Sequence, residues 1–411
     1  MRYPIPSAVW LVIALIVIFT PVFYSVMLGP FFFNGDHFSH AEAAIRLQDS
    51  QMLGVPHVLY HVLFMTLYNI FPFVDLTRLS TFLMVALRAM LGLIIFLLLR
   101  AQLSGQLSDL WIGGLVILFL LTYSPIFLWH NQAHGVTEFF LHHISHLNHL
   151  VYHNPTQNLL LIFVVPAQLV ALGAIVPQPF RSANQRIFVT LLAAALVMLM
   201  SLSKPSYSIA LLPALGLAAL YRTMRRLPVD WSLLILGLGV PFLLILALQY
   251  VVAYADPERA GVGIGWLVFF RSRGFREWEV GLKLILSVLF PLVAYLLHAR
   301  HVIKDDLLNF SWLVFGVSLI WTYFFYEDGK RLTHGNFAWS GYAALFGLMF
   351  STILFLLRHY TTQAFVRTPR AILTASAFAL HLVAGIYTYL FIVVNSEFPS
   401  AVWRFISRTL G

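Results

Sequence analysis

Apolar residues fall along the chain in long blocks separated by short polar joints, without the alternation that marks strands. A bilayer core is about 30 Å thick and takes roughly 20 apolar residues in a helix to cross. Blocks near or at that length cover residues 7–28, 79–99, 109–129, 157–177, 187–203, 206–221, 231–252, 281–298, 308–325, 339–357 and 372–394. The pattern predicts an all-α polytopic membrane protein, with about 11 transmembrane helices in a single integral membrane domain, 1–411. No polar stretch is long enough for a separate soluble domain, and no internal repeat is visible. The first block is too long, and too weakly basic at its start, for a cleaved signal peptide, so it is expected to stay as a helix.

One run departs from the rest. Residues 58–73 are apolar but short, follow Pro56, and carry Tyr60, His61, Tyr68 and Asn69. We read them as a helix lying in the membrane interface. This choice puts the histidine-rich loop 130–153, which contains no Lys or Arg, outside. It leaves inside Arg2, Arg100, Arg181, Arg186, Arg222, Arg225, Arg226, Arg300, Lys304, Arg358, Arg367 and Arg370, against Asp109, Asp230, Asp305 and Asp306. Cations gather in cytoplasmic loops, so the bias supports a cytoplasmic N-terminus and an outer C-terminus, in a membrane read as a bacterial inner membrane.

Composition agrees with this class: the chain is 60% hydrophobic and 10% charged, with a mean hydropathy of +0.85. The formal charge of +9 then reports topology and contact with membrane lipids, and nucleic acid is not an expected partner. Cysteine is absent, which excludes disulfides, thiolate metal sites and cysteine nucleophiles.

The outer loops hold most of the candidate chemistry. Asp36, in Asn34-Gly35-Asp36-His37, is expected on a Gly-loosened turn close to the membrane surface, ahead of a helix-like run 39–48 with Glu42 and Arg46. A carboxylate there can meet the head group of a lipid-linked substrate; the plainer alternative is a helix cap or loop acid. His37 could orient Asp36, bind a sugar, or be a simple surface histidine. Lys204 sits in the turn 203–207 before Pro205, Arg271, Arg273 and Arg276 in the loop 253–280, and Lys330 and Arg331 in the loop 327–336. Cations are disfavoured in outer loops. A phosphate gives a reason for them, since guanidinium offers it bidentate donors. Contact with anionic lipid heads, or pairing with Glu277, Glu279, Glu327 and Asp328, is the plainer account. His142, His146, His149 and His153 would share one face of a helix, where adjacent pairs could hold a metal. Only Glu138 lies nearby as an acid, so no metal and no cofactor is expected; neutral histidines also suit an interfacial helix that binds sugar hydroxyls. Arg88 lies mid-way through an apolar block, where a charge is normally paired or functional. Lys283 is close enough to a block end to snorkel outward.

Several of these features come in a recognisable order. The acid after the first block is followed by the 41–47 helix, Gly54, Pro56 and the Tyr-bearing interfacial helix. Next come a block ending Leu97-Leu98-Leu99-Arg100, then Thr122-Tyr123-Ser124-Pro125, then Leu202-Ser203-Lys204-Pro205 opening onto Leu211-Leu212-Pro213-Ala214-Leu215. This series, over roughly 1–226, resembles the GT-C membrane glycosyltransferases, particularly the bacterial relatives of protein O-mannosyltransferases and aminoarabinose transferases. Residues 227–411 are read as C-terminal helices with a diffuse likeness. The resemblance implies a sugar carried on polyprenyl phosphate, transferred at the outer membrane face to a glycan, lipid or protein acceptor. It also implies an acid in the first outer loop as catalytic base, by position Asp36. Two features depart from the family pattern: His37 stands where a second acid is common, and Asn154-Pro155-Thr156-Gln157, after His153, stands where another acid often precedes the fourth span. Alternatives from other classes are a polymerase or ligase of polyprenyl-pyrophosphate glycans, and a lipid or solute transporter. Transport predicts ionisable groups along the spans, whereas the polar groups here gather at one face.

Overall fold

Caps written into the sequence set several helix starts. Asp75, Ser108, Ser182, Asp305 and Thr368 each accept a hydrogen bond from the backbone N–H three residues on, satisfying a donor that the first helical turn leaves open. Asn154 does the same for Gln157, with Pro155 at the first helical position. The structure, a computed structural model, describes residues 5–28, 34–48, 56–103, 105–125, 145–177, 182–254, 261–362 and 368–396. In chain order the helices are α1 Ile5–Leu28, α2 Asn34–Gln48, α3 Leu59–Ile70, α4 Leu76–Gln102, α5 Asp109–Leu120, α6 Pro155–Ile175, α7 Ala183–Ser203 and α8 Ser208–Met224. They continue with α9 Leu233–Tyr254, whose first turns are π-helical, α10 Glu277–Ser287, α11 Leu289–Leu297, α12 Asp306–Phe324, α13 Ala338–Thr362 and α14 Pro369–Val394. Strands β1 Val262–Ile264 and β2 Phe325–Glu327 pair antiparallel, Val262 opposite Glu327 and Ile264 opposite Phe325.

Among the described residues, α1, α4, α6, α7, α9, α12, α13 and α14 are each long and apolar enough to cross a membrane, which is the architecture of an all-α polytopic membrane protein. The bent pair α10 and α11, meeting at 63°, makes a ninth if it counts as one span. The expected blocks 109–129 and 206–221 appear as shorter helices, α5 with 12 residues and α8 with 17. α3, also of 12 residues, covers about 18 Å, the length of an interfacial helix rather than a span.

Three expectations are corrected. α2 already begins at Asn34, so Asp36 lies in its first turn and not on a turn before it; an acid there meets open N–H groups and the positive end of the helix. His146, His149 and His153 lie on irregular backbone and form no helical stripe, while His142 falls outside the described residues. Asn148 and Asn154 use their side chains on backbone N–H groups of Ser124 and Gln157, which favours turns over helix in this stretch. Lys283 does not snorkel: it is fully buried, with Nζ 4.7 Å from the centre of the Phe275 ring.

Packing divides the chain into two units, Met1–Met52 with Tyr60–Asn158 and Leu357–Gly411, and Leu53–Leu59 with Leu159–Leu356. In the first, α1 lies along α4 and also meets α2, α5 and α14. α5 stops at Leu120, and Tyr123 then exchanges bonds with α14: its N–H donates to the His381 carbonyl at 2.9 Å, and His381 Nδ1–H donates to its carbonyl at 3.0 Å. In the second, α7 packs on α9 and α8 on α12. Its core is stapled by Gln168, whose amide donates to Ser311 and accepts from the Tyr207 hydroxyl at 3.0 Å.

Candidate functional site

In the first unit, α2 is anchored by His37, which is fully buried. Nε2 lies 3.3 Å from the Tyr152 carbonyl, which can only accept, so this nitrogen carries the proton. Burial pushes the imidazole down to about 4, against the opposing pull of the Tyr152 bond and the Asp36 charge, so at neutral pH Nδ1 is a bare acceptor. The Ser80 hydroxyl, 3.3 Å away, therefore donates to Nδ1, and Ser80 in turn accepts from the Tyr60 hydroxyl at 3.5 Å. Both ring nitrogens are used within the protein. His37 thus holds the helix, and a substrate finds no free nitrogen on it.

Asp36, the next residue back, is half-buried. Its Oδ2 accepts from Asn154 Nδ2 at 3.2 Å. The orientation of that amide is set from its other end, where Asn154 Oδ1 accepts from Thr156 Oγ1 and the Gln157 N–H, each at 2.9 Å. Asp36 and Asn154, the residue standing near where the family pattern often has a further acid, thereby meet across 118 positions of chain. A carboxylate with a neutral donor on one side and an open side can take a proton from an incoming hydroxyl. His153 is half-buried beside this contact, and Glu42 is exposed, 4.0 Å from Arg46 one turn on.

Beneath lies Arg88, 1% exposed. Its Nη2 donates to the Val151 carbonyl at 2.9 Å and to Asn158 Oδ1 at 2.6 Å, and Asn158 Nδ2 donates to the Asn154 carbonyl at 2.9 Å. The rings of Phe19, Phe23 and Tyr152 stand 5.3, 5.6 and 5.6 Å from the guanidinium carbon. Aromatic faces and the two oxygens on Nη2 offset part of the buried charge, while Nε and Nη1 are buried without a hydrogen-bond partner. Sequence reading placed Arg88 as a buried cation but named none of these partners. The readable signal was the pair Asn154 and Asn158, one helical turn apart around Pro155. Further along, His149 Nε2–H donates to Thr122 Oγ1 at 2.8 Å, since the Thr122 proton goes to the Phe119 carbonyl. Burial, then the charges of His381 and Arg88, hold His149 well below the ordinary imidazole range. Among the described residues no group of three or more His, Asp or Glu could hold a metal ion.

The candidate cations lie in the second unit, mostly around the turn 325–339. Lys204 is buried, with Nζ 4.1 Å from the Trp339 ring centre. Arg273 donates to the Thr333 carbonyl, and its Nε is buried without a partner. Arg331 pairs with the buried Glu327 at 3.5 Å, which also accepts from the Tyr254 hydroxyl at 2.9 Å and from Asn336. Arg271 pairs with Glu277, and the backbone N–H of Arg276, which is exposed, donates to Glu279 at 3.3 Å. Lys330 lies in the short turn Gly329–Arg331, its side chain outside the described residues. A small recess beside Glu327 is walled by Phe269, Phe325 and Phe337. Comparison of the chain with protein-family models, curated proteins and solved structures finds no match.

Proposed function

We propose that the chain is a membrane glycosyltransferase that moves a sugar from a polyprenyl-phosphate donor to a glycan, lipid or protein acceptor, with Asp36 as general base. The reaction is assigned to the outer face of a bacterial inner membrane. The observation that carries this reading is the Asp36 carboxylate, half-buried in the first turn of α2 and oriented by the Asn154 amide at the head of the span α6. In the step, the acceptor oxygen forms a bond to the anomeric carbon while its proton passes to Asp36. The bond from that carbon to the phosphate oxygen breaks, and polyprenyl phosphate leaves with the electron pair. A cation near the departing phosphate lowers the barrier.

The test is Asp36→Asn, which keeps shape and hydrogen bonding but removes most of the basicity. Transfer from a polyprenyl-phosphate sugar is expected to fall about 10²–10⁴-fold, the scale of a lost general base. The melting temperature should change little, because a charge in the first turn of a helix contributes only about 0.3–1 kcal/mol. Near-normal transfer by the variant removes Asp36 as base. A second reading, a carrier for a lipid or solute, draws on the 63° break between α10 and α11 with Lys283 buried just before it, since broken spans often line transport sites. Flux through proteoliposomes in the absence of any sugar transfer would favour it.

A further inference from the structure

Arg88 has a costly position. It sits within the span α4 and fully buried, and its hydrogen bonds all go to one segment, the start of α6 and the turn before it. We propose that Arg88 is a positioning residue for the Asp36 site, acting through Asn158 and Asn154 to set where the carboxylate stands. The proposal rests on the glycosyltransferase reading for its catalytic consequence, but its geometry is independent of that reading.

The chain of contacts is short and each link has a fixed polarity. The two hydrogens of Nη2 are divided between the Val151 carbonyl and Asn158 Oδ1. Accepting there turns the Asn158 amide so that its Nδ2 faces back to the Asn154 carbonyl. Asn154 caps α6 with its oxygen and is left with its nitrogen toward Asp36. The guanidinium therefore ties both flanks of Asn154, the backbone at Val151 before it and the side chain of Asn158 after it. Residues 151–154 run on irregular backbone into a proline-started helix, where the Asn154 carbonyl accepts the first helix bond from the Asn158 N–H at 3.1 Å beside that from the Asn158 side chain. A neutral side chain of the same length would fill the space between Phe19, Phe23 and Tyr152 but hold neither tie. That is the difference between a residue that fills space and one that positions.

The cysteine-free chain allows a direct measurement. Cysteines replacing Asp36 and Asn154 are bridged with a short bifunctional thiosulfonate, and the rate is compared in backgrounds with Arg88, Arg88→Met and Asn158→Leu. A control pair, Gln102→Cys with Arg358→Cys, sits elsewhere in the same unit, where the native side chains also touch. We expect bridging at 36 and 154 to slow about tenfold in both backgrounds, the scale of coupling within one hydrogen-bond network, while the control pair is unchanged. With Asp36 and Asn154 intact, Arg88→Met and Asn158→Leu should lower kcat about 10²-fold at an unchanged donor KM, as misplacement of a reacting group does. Should Arg88→Met also slow the control pair, Asn158→Leu, which leaves the buried cation in place, decides. Unchanged bridging in Asn158→Leu overturns the proposal whatever transfer does, and so does slowed bridging with an undiminished kcat. If wild-type protein transfers no sugar from any polyprenyl phosphate, the enzymatic reading fails, and the bridging rates still decide whether Arg88 sets the contact.

Discussion

In the buried ring of His37 the neutral form persists down to about pH 4, against 6.5 for the ordinary side chain. Between those values the unfolded chain takes up a proton that the folded chain refuses, so stability falls as pH falls. At pH 5 the loss from this one group is about 2 kcal/mol, from 1.36 kcal/mol per pH unit below 6.5. Melting of the detergent-solubilised protein should therefore drop more steeply from pH 7 to pH 5 in wild type than in His37→Gln, which cannot titrate there. Parallel curves would show that His37 protonates without leaving its partners. Other buried histidines titrate too, which is why the difference between the two proteins is the measure. Proximity to Asp36 was the sole clue that sequence offered about His37, and it pointed equally to the surface. Its partners, Ser80 and Tyr152, lie 43 and 115 positions away, and no local pattern joins them. Asp36 was legible because an acid beside an apolar block is rare; the meeting with Asn154 was not.

Helix starts were legible to within a few residues where a cap residue stands before an apolar block, as at Asp75, Asp305 and Thr368. The end of α5 was not, because the apolar run continues past the point where the helix stops. Thr122 and Ser124 supply the reason. Their hydroxyls and backbone bond to Phe119, Leu147 and Asn148, and Tyr123 pairs with His381, so the chain leaves helix geometry with its polar groups satisfied. α14 reaches this stretch by presenting Gly385: a Cβ there would stand 1.5 Å from the Leu121 carbonyl oxygen. Since that oxygen is backbone, no rotamer change makes room. Gly385→Ala should destabilise the first unit by about 1–3 kcal/mol or more, the cost of overpacking, and lower the melting temperature. Gly173→Ala on α6, where a Cβ meets nothing within 4 Å, is the matched control and should melt like wild type or slightly higher. Equal melting temperatures for the two variants would mean that α14 does not dock against Leu121.

Sidedness follows from contacts that no single helix contains. In the second unit β1 follows α9 and β2 ends α12, and the two strands pair, so both helix ends lie on one membrane face. An even number of crossings must separate them. α12 is long and apolar enough to supply one, so we infer that the bent pair α10 and α11 supplies the other, as a broken span. Lys204, at the end of α7, lies on the Trp339 ring at the start of α13, directly after the β2 turn. That contact puts the end of α7 on the same face, and two crossings must then separate Lys204 from β1. With α9 as one, we infer that α8 is the other, although at 17 residues it covers only about 26 Å. We propose that the loops carrying Lys204, Arg271, Arg273, Arg276 and Arg331 share a face and, from the charge bias, that this face is the outer one. Single cysteines replacing Ser272 and Thr333, both exposed in that set of loops, should react with an impermeant thiol reagent in intact cells whose outer barrier is permeabilised. Cysteines replacing Ala183 and Met224, exposed at the opposite helix ends, should react only after the inner membrane is broken. Ser145 makes a poor reporter, since it is buried and a thiol there would register packing rather than side. If Ser272 and Thr333 label on opposite sides, the bent pair does not cross. If all four exchange sides together, the helices stand as described, but the charge bias has been read backwards and the cations face the cytoplasm, away from any donor at the outer surface.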